Sequence, residues 1–304
     1  MRQGWIRNSR RQGDLTFDLI NVVLVGLIAL LCFYPMYLVA ISAFSSPSAV
    51  YNGQVLLWPK GNNWAGIQRV LQDDSILRGY ANTIYYTALG TTINVLLTMV
   101  SAFVLSRKQF ALRKPLLIMT AFTMFFGGGM IPTFLLIRDL KMLDSVWSLV
   151  LPGAISTWNL IIARTFITMS VSDELQDAAS IDGCNHLRFF LHIVLPVSST
   201  IVAVLGLFYA VGHWNSYWSA LLYIRTTDKY PLQMVLRDIL LRSQISAQML
   251  QDEMDLGNTV ARMYEIAESV KYVVVLAACL PILLIFPFVE KYFVKGVMIG
   301  SIKG

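Results

Sequence analysis

Six stretches of this chain stay apolar over about 20 residues, the length of helix that crosses the hydrocarbon core of a bilayer. They run from Leu19 to Phe44, Thr83 to Leu105, Pro115 to Ile137, Val146 to Thr168, Pro196 to Ile224 and Tyr272 to Val289. In lipid, backbone groups must be satisfied within each segment, so each is expected as an α-helix. A transmembrane barrel would need strictly alternating strands of about 10 residues, and that pattern is absent. The composition agrees: 56% of residues are hydrophobic and only 14% charged, against about 25% charged in soluble domains. The expected fold class is all-α, a polytopic membrane protein with six transmembrane helices.

Orientation follows from Lys and Arg near the helix ends. Arg2, Arg7, Arg10 and Arg11 lie in the first tail. Arg107, Lys108, Arg113 and Lys114 fill the short loop after the second segment, and Lys291, Lys295 and Lys303 lie in the last tail. Placing these on one side puts both termini in the cytoplasm. The chain then reads as an inner tail (1–18), a first transmembrane helix (19–44), an outer loop (45–82), a five-helix core (83–289) and a second inner tail (290–304). Within the core lie an inner loop (172–196) and an outer loop (225–271). The stretch Leu232–Leu241 puts Leu236, Ile239 and Leu240 on one helical face. It reads either as a helix resting on the bilayer or as a docking element. The first apolar run is too long for a signal peptide and lacks a small-residue cleavage site.

The apolar segments hold almost nothing that could couple protons or ions. The first three contain no ionisable acid or base, the fourth only Arg164 near its inner end, and the fifth only His213. Carriers and pumps place such groups at membrane depth, where they are costly and functional. No GxxxxGK[ST] phosphate loop occurs, so ATP hydrolysis by that route would belong to a partner. Cys32, Cys184 and Cys279 are scattered and odd in number, neither a disulfide framework nor a metal site. The net charge of +6 is read as an orientation signal; no basic run interleaved with aromatics points to nucleic acid.

The inner loop from Ser172 to Pro196 reads as helix, turn, helix. Ser172 can cap a helix whose first turn carries Asp173 and Glu174, which suit the positive end of the helix dipole. Leu175, Ala178 and Ala179 share a face, and the small pair would let another surface approach closely. Gly183 can take the left-handed conformation that ends the helix. Leu187, Phe190, Leu191 and Val194 follow on a second short helix, and Pro196 suits the first turn of the fifth membrane helix. On these grounds alone the loop is either an amphipathic hairpin on the membrane or a knob docked into another protein.

The loop resembles the coupling loop of binding-protein-dependent ABC importers. That pattern is Glu-Ala-Ala, three residues, Gly, nine residues, Ile, one residue, Leu-Pro. Here it runs Asp177-Ala178-Ala179, Gly183, Ile193, Leu195-Pro196, with every spacing kept and Asp in place of Glu. Gly129-Met-Ile-Pro132, Asp182-Gly183-Cys184, Trp214-Asn215-Ser216-Tyr217 and the tail from Lys291 to Gly304 are similar to the carbohydrate-uptake class. Within it they are most similar to the second permease of maltose-type systems, in the complex-oligosaccharide or aldouronate-type branch. The resemblance implies a type-1 importer permease fold in the bacterial cell membrane. It implies a heterodimer with a second permease, two ATPase subunits that carry ATP and Mg, an extracellular binding protein and an oligosaccharide cargo. No cofactor is expected on this chain itself. It assigns ATPase coupling to Asp177, Ala178, Ala179, Asp182, Gly183, Ile193, Leu195 and Pro196, and an ATPase-facing tail to Gly300, Lys303 and Gly304. The competing readings are a permease for a non-sugar solute and a secondary carrier.

Trp158, Asn159, Trp214, Asn215, Tyr217 and Trp218 mix aromatics with amides in or near the apolar segments. Flat apolar faces suit the C–H surfaces of sugars and amides suit their hydroxyls, which makes these residues a candidate substrate path. The alternative, and the favoured one, is that the tryptophans form an interfacial aromatic belt or pack against a partner permease. Gly127-Gly128-Gly129 with Pro132 interrupts the third segment, as a hinge or, the favoured reading, as a close helix-packing site with a kink. His213 is expected as a hydrogen-bonded interior residue, and Arg164 as a side chain snorkelling to the inner interface.

Overall fold

The computed structural model describes residues 12–62, 64–241, 270–284 and 287. The inner tails at 1–11 and 290–304, with Gly300, Lys303 and Gly304, lie outside the described residues, as does most of the outer loop 225–271. The described residues are helical and contain no strand.

The chain forms two compact units, one of Met1–Gln72 with Arg242–Ala277, the other of Asp73–Leu241 with Ala278–Gly304. In the first, α1 (Gln12–Phe44) is followed by short helices α2 (Pro47–Tyr51) and α3 (Trp64–Leu71). Apolar side chains cover α1 on all sides and remain exposed over its spanning window, the pattern of a helix whose solvent is lipid or another subunit. Its last turn gathers Ile41, Ala49 and Val55 into a small cluster. Ser45 Oγ accepts from Lys60 N at 3.1 Å and so ties the following loop to that turn.

The second unit is built around α4 (Asp74–Ser106), capped where Asp73 accepts from Ser75 N at 2.9 Å. This helix starts inside the stretch assigned to the outer loop, because the cap and the apolar positions Ile76 and Gly79 extend its buried face. Then come α5 (Arg113–Phe125), α6 (Met130–Asp139), α7 (Trp147–Val150), α8 (Thr157–Ser170), α9 (Asp173–Ile181) and α10 (His186–Phe189). A π-helical turn (Phe190–Val194) leads to α11 (Leu195–Val197), α12 (Ser199–Trp214) and α13 (Tyr217–Tyr223). A further helix occupies residues 232–241 (α14), and the helix Val270–Leu284 (α15) is shared, its residues to Ala277 belonging to the first unit and the rest to the second. One core joins α4, α8 and α12 through Met99, Phe103, Leu160, Ile167, Leu205 and Tyr209. A second joins Tyr86, Ile137, Leu149, Tyr223 and Met234.

Several segments read as single spans are broken. Two helices, Phe17–Phe44 and Asp74–Ser106, are long and apolar enough to cross a membrane, or up to four if each of two bent pairs is one span. One pair is α5 with α6, bent by 116° at the glycine run. Gly129 has φ +85°, and Cβ atoms added at Gly127 and Gly128 would meet nothing within 4 Å. The glycines serve the kink expected from the sequence, here a sharp turn of the backbone, and no described residue of this chain lies close to Gly127 or Gly128. The fourth segment splits into α7 and α8 around Pro152 and Gly153. The fifth is broken after Trp214, before α13 begins at Tyr217.

The stretch 232–241 is helical, as its periodicity suggests, and its first turns are buried against the same chain. Leu232, Met234, Val235 and Leu236 are buried. Leu232 N donates to Thr83 Oγ1 at 2.8 Å, and a Cβ at Gly79 would lie 3.2 Å from Leu232 Cα. Its first turns are packed on α4.

Candidate coupling helix and polar cavity

α9 is fixed at both ends by its own sequence. Ser172 Oγ accepts from Leu175 N at 3.4 Å, and Asp173 and Glu174 occupy the first turn. At the other end Gly183 has φ +75°. Its N–H donates to Ser180 O at 3.1 Å, and Cys184 N donates to Ala179 O at 2.9 Å. That pair of bonds is the Schellman arrangement, which satisfies carbonyls the helix would otherwise leave open. Asn185 then caps α10 by accepting from Arg188 N at 2.8 Å.

The motif residues divide between two faces. Ala179 is buried, and Ile193 and Leu195 pack with it against the core of α4, α8 and α12. Asp177, Ala178, Asp182, Gly183 and Pro196 are exposed. The two alanines thus have different jobs: Ala179 lets α9 approach its own chain, and only Ala178 offers a small outward surface. Beside it Ile181 is 87% exposed and Leu187 67%, so the outward face is apolar around a carboxylate, Asp177, that has no partner among the described residues.

Pro196 is not in the first turn of the fifth membrane helix. It lies within a helix that runs from His186 to Val197 and meets α12 at an 82° bend. Leu195 N bonds to Phe190 O in the i→i−5 pattern. The wider turn falls immediately before the proline, whose missing N–H already interrupts the regular ladder.

Three residues that anchor α9 were legible only as orientation signals or not at all. Arg107 follows the last turn of α4 and is buried. Its Nη1 donates to Gln176 Oε1 at 2.9 Å, its Nε to Ser106 Oγ at 2.9 Å, and its guanidinium lies 5.3 Å from the Phe103 ring. Burial lowers the Arg107 pKa, and the neighbouring Asp173 opposes that shift. Lys108 pairs with Asp173 at 2.9 Å. The side-chain bond from Lys108 holds the Asp173 carboxyl below its ordinary range. Gln176 also reaches Gln109 at 3.4 Å. The short basic loop is thereby the bracket on which α9 sits. Arg164 does not simply snorkel: its Nε donates to Leu105 O at 3.1 Å, at the same end of α4.

The aromatic–amide set separates in the same way. Trp214 is buried and donates from Nε1 to Ala278 O at 3.1 Å. Asn159 is buried, Trp158 is exposed at the start of α8, and Tyr217 stands against Arg237. Asn215 and Trp218 line a cavity of about 320 Å³. Its wall includes Asn94, His213, Tyr209, Ser216 and Ser219, which the sequence reading did not assemble. Asn94 Nδ2 lies 3.1 Å from His213 Nε2, consistent with the interior hydrogen-bonded histidine expected. Tyr209 Oη lies 2.7 Å from Thr98 Oγ1 and accepts from Ser156 N at 3.0 Å. The signal was present as a four-residue spacing: Gly90, Asn94 and Thr98 on α4 face Tyr209 and His213 on α12. Polar side chains on an apolar helix at that spacing mark a paired face.

In the turn before α7, Asp144, with φ +57°, gathers four donors. Its carboxylate accepts from Arg225 N and Thr226 N at 3.0 Å, and from Thr226 Oγ1 and Lys229 Nζ at 2.7 Å. The bond from Lys229, then those from Thr226, hold its pKa far below the usual carboxylate range.

No protein-family model matches the chain. It is 36% identical to the polygalacturonan/rhamnogalacturonan transport system permease protein YtcP of Bacillus subtilis, over 95% of this chain and 98% of that one. It is 35% identical to protein LplC of the same organism, covering 95% of each. Among solved structures it superposes with a TM-score of 0.82 and 29% identity on a chain of a bacterial ABC transporter involved in the import of the acidic polysaccharide alginate. That match covers 94% of this chain and 99% of the other.

Proposed function

Because this chain belongs to the carbohydrate-uptake permeases of binding-protein-dependent ABC importers, we propose that it forms half of a translocation pathway for an oligosaccharide, working with a second, different permease. It is a permease subunit and not an enzyme; ATP hydrolysis belongs to separate ATPase subunits. In this reading the chain crosses the bacterial cell membrane six times with both termini in the cytoplasm. Two ATPase subunits carry ATP and Mg, and an extracellular binding protein delivers the cargo. Two described helices are of spanning length, or up to four spans if each bent pair is one; six crossings rest on the apolar segments of the sequence. The relatives' named polysaccharides support a sugar cargo.

The observation that carries the reading is α9 itself. It is capped at both ends and bolted to α4 through Gln176 and Arg107. Yet it presents Asp177, Ala178 and Ile181 outward, exposed among the described residues. A helix lying on the membrane by its apolar face would have no use for such a rigid mount, whereas a knob that transmits force requires one.

The test is Ala178→Asp, which places an unpaired carboxylate in the docked surface, an unfavourable burial. The variant should insert normally, fail to retain the ATPase in a pull-down and lose uptake of labelled oligosaccharide. Normal retention and normal uptake would remove the docking role.

A further inference from the structure

The segment that follows α1 folds back along it. Ser46 N donates to Lys60 O at 2.8 Å, and Lys60 N donates to Ser45 Oγ at 3.1 Å, which closes residues 46–60 into a loop at the Phe44 end of the helix. Gly61, with φ +75°, completes the return, since a Cβ there would lie 2.6 Å from Ser46 Cβ. Within the loop Val55 is buried with Ile41 and Ala49. The next three residues project: Leu56 is 62% exposed, Leu57 63% and Trp58 76%. Their backbone is held from below. Tyr34 Oη donates to Leu56 O at 3.1 Å, and Tyr37 Oη donates to Leu57 O.

Those two bonds fix the depth of the loop. At 1.5 Å per residue, Tyr34 lies about 15 Å below the Phe44 end of α1. The cover of α1 changes at the same level. Every residue from Phe17 to Met36 is exposed, and burial by the chain itself begins at Tyr37. The bare stretch is about 30 Å long, the thickness of a hydrocarbon core. It is bare all round, whereas a neighbouring subunit covers one stripe of a helix and leaves lipid against the rest. The edge of the hydrocarbon thus falls between Tyr34 and Tyr37, and Leu56, Leu57 and Trp58 stand beside it. A loop in water needs no donors from a membrane helix. At the edge of lipid an unpaired carbonyl is costly, and two adjacent carbonyls require two donors. Tyr and Trp are also the side chains that settle at this boundary.

We infer that residues 56–58 anchor the chain in the boundary layer of the bilayer. Leu56 and Leu57 lie against acyl chains, Trp58 lies at the headgroups, and Tyr34 and Tyr37 are positioning residues that hold the loop backbone at that depth. The occupant of this surface is phospholipid, because the surface continues the lipid-exposed length of α1. The anchor depends neither on the cargo nor on the docking of α9.

The test uses the full transporter in liposomes of phosphatidylethanolamine and phosphatidylglycerol. This chain carries a nitroxide label on Leu57→Cys. Cys32, Cys184 and Cys279 are changed to Ser, and the partner subunits are likewise freed of cysteine. Relaxation of the label by oxygen, which concentrates in lipid, is compared with relaxation by a water-soluble nickel chelate. A label on Asn52→Cys, at an exposed position of the same loop, is the aqueous reference. At residue 57 oxygen should relax the label more than at residue 52, and the chelate several-fold less. Tyr34→Phe with Tyr37→Phe keeps both rings and removes both donors; chelate relaxation at residue 57 should then rise several-fold, with no change at residue 52. Should that pair fail to assemble, Tyr37→Phe alone is read in the same way. An unchanged label at residue 57 in these variants would remove the tyrosines from their role. A label at residue 57 as open to the chelate as at residue 52 would place the loop in water and overturn the anchor. A label closed to both reagents would place a protein subunit on the surface and overturn it equally. Chelate access lost only when the binding protein is added would assign the surface to that protein instead.

Discussion

At the scale of single residues, Gly183 and Asp144 hold turns by opposite means. Gly183 takes a positive φ, and a Cβ added there would meet none of the described residues within 4 Å. Any defect of a substitution comes from backbone strain or from a docked partner. Valine in the left-handed region costs roughly 1–2 kcal/mol, while asparagine tolerates it. Gly183→Val should abolish uptake, and Gly183→Asn should retain a substantial fraction of it, measured with labelled substrate in the same vesicles. Asp144 adopts the unfavourable region because five hydrogen bonds to its carboxylate and carbonyl over-determine it. Its folded pKa lies below the ordinary value of 3.8. Its contribution to stability is therefore complete above about pH 4 and is lost as pH falls below that value. Melting of the purified complex should show this acid-side loss in the wild type, and Asp144→Asn should be less stable at neutral pH with a shallower fall below pH 4. The sequence marked Gly183 through its spacing from the alanine pair. It could not mark Arg107 as more than a positive charge, because its partner Gln176 lies 69 residues away.

At the scale of helices, α4 and α12 meet along one stripe. Gly90, Asn94 and Thr98 recur every four residues, and so do Leu205, Tyr209 and His213. The Asn94–His213 and Thr98–Tyr209 bonds hold the stripe in register. Gly90→Ala would drive a methyl group into the His213 ring, and overpacking of this kind costs about 1–3 kcal/mol. The variant complex should melt several degrees lower, and Gly206→Ala, where a Cβ would meet nothing within 4 Å, should not. Element type was legible, since the apolar segments, where described, proved helical apart from the breaks at 126–129, 151–156, 198 and 215–216. Element direction was not. Hydropathy counts apolar residues and is blind to a 116° turn at Gly129 or an 82° bend at Ser198. It counted Val146 to Thr168 as one span across Pro152 and Gly153. The cavity was half legible: Asn215 and Trp218 stood out as an amide and an aromatic in sequence. Asn94 and His213 became a pair only when two helices 119 residues apart were laid side by side.

At the scale of the molecule, the chain is built to be incomplete. Its first helix exposes Leu24, Ile28 and Leu31 on surfaces that no described part of its own unit covers. α9 presents an outward face that no described residue covers. The chain should co-purify with a second permease and two ATPase subunits and be inert without them; a monodisperse, transport-competent homodimer lacking any ATPase would refute that. The mounting of α9 has a mechanical consequence. One arm runs from α9 through Gln176 and Arg107 to α4. The other runs through α10, the π-helical turn and α11 to α12. The arms are joined again where Asn94 and Thr98 meet His213 and Tyr209. Three struts joined end to end make a triangulated frame, and a triangle cannot shear without breaking a joint. Under the docking reading proposed above, a load applied at Ala178 would reach α4 and α12 by both arms at once and would tip them together, as one lever.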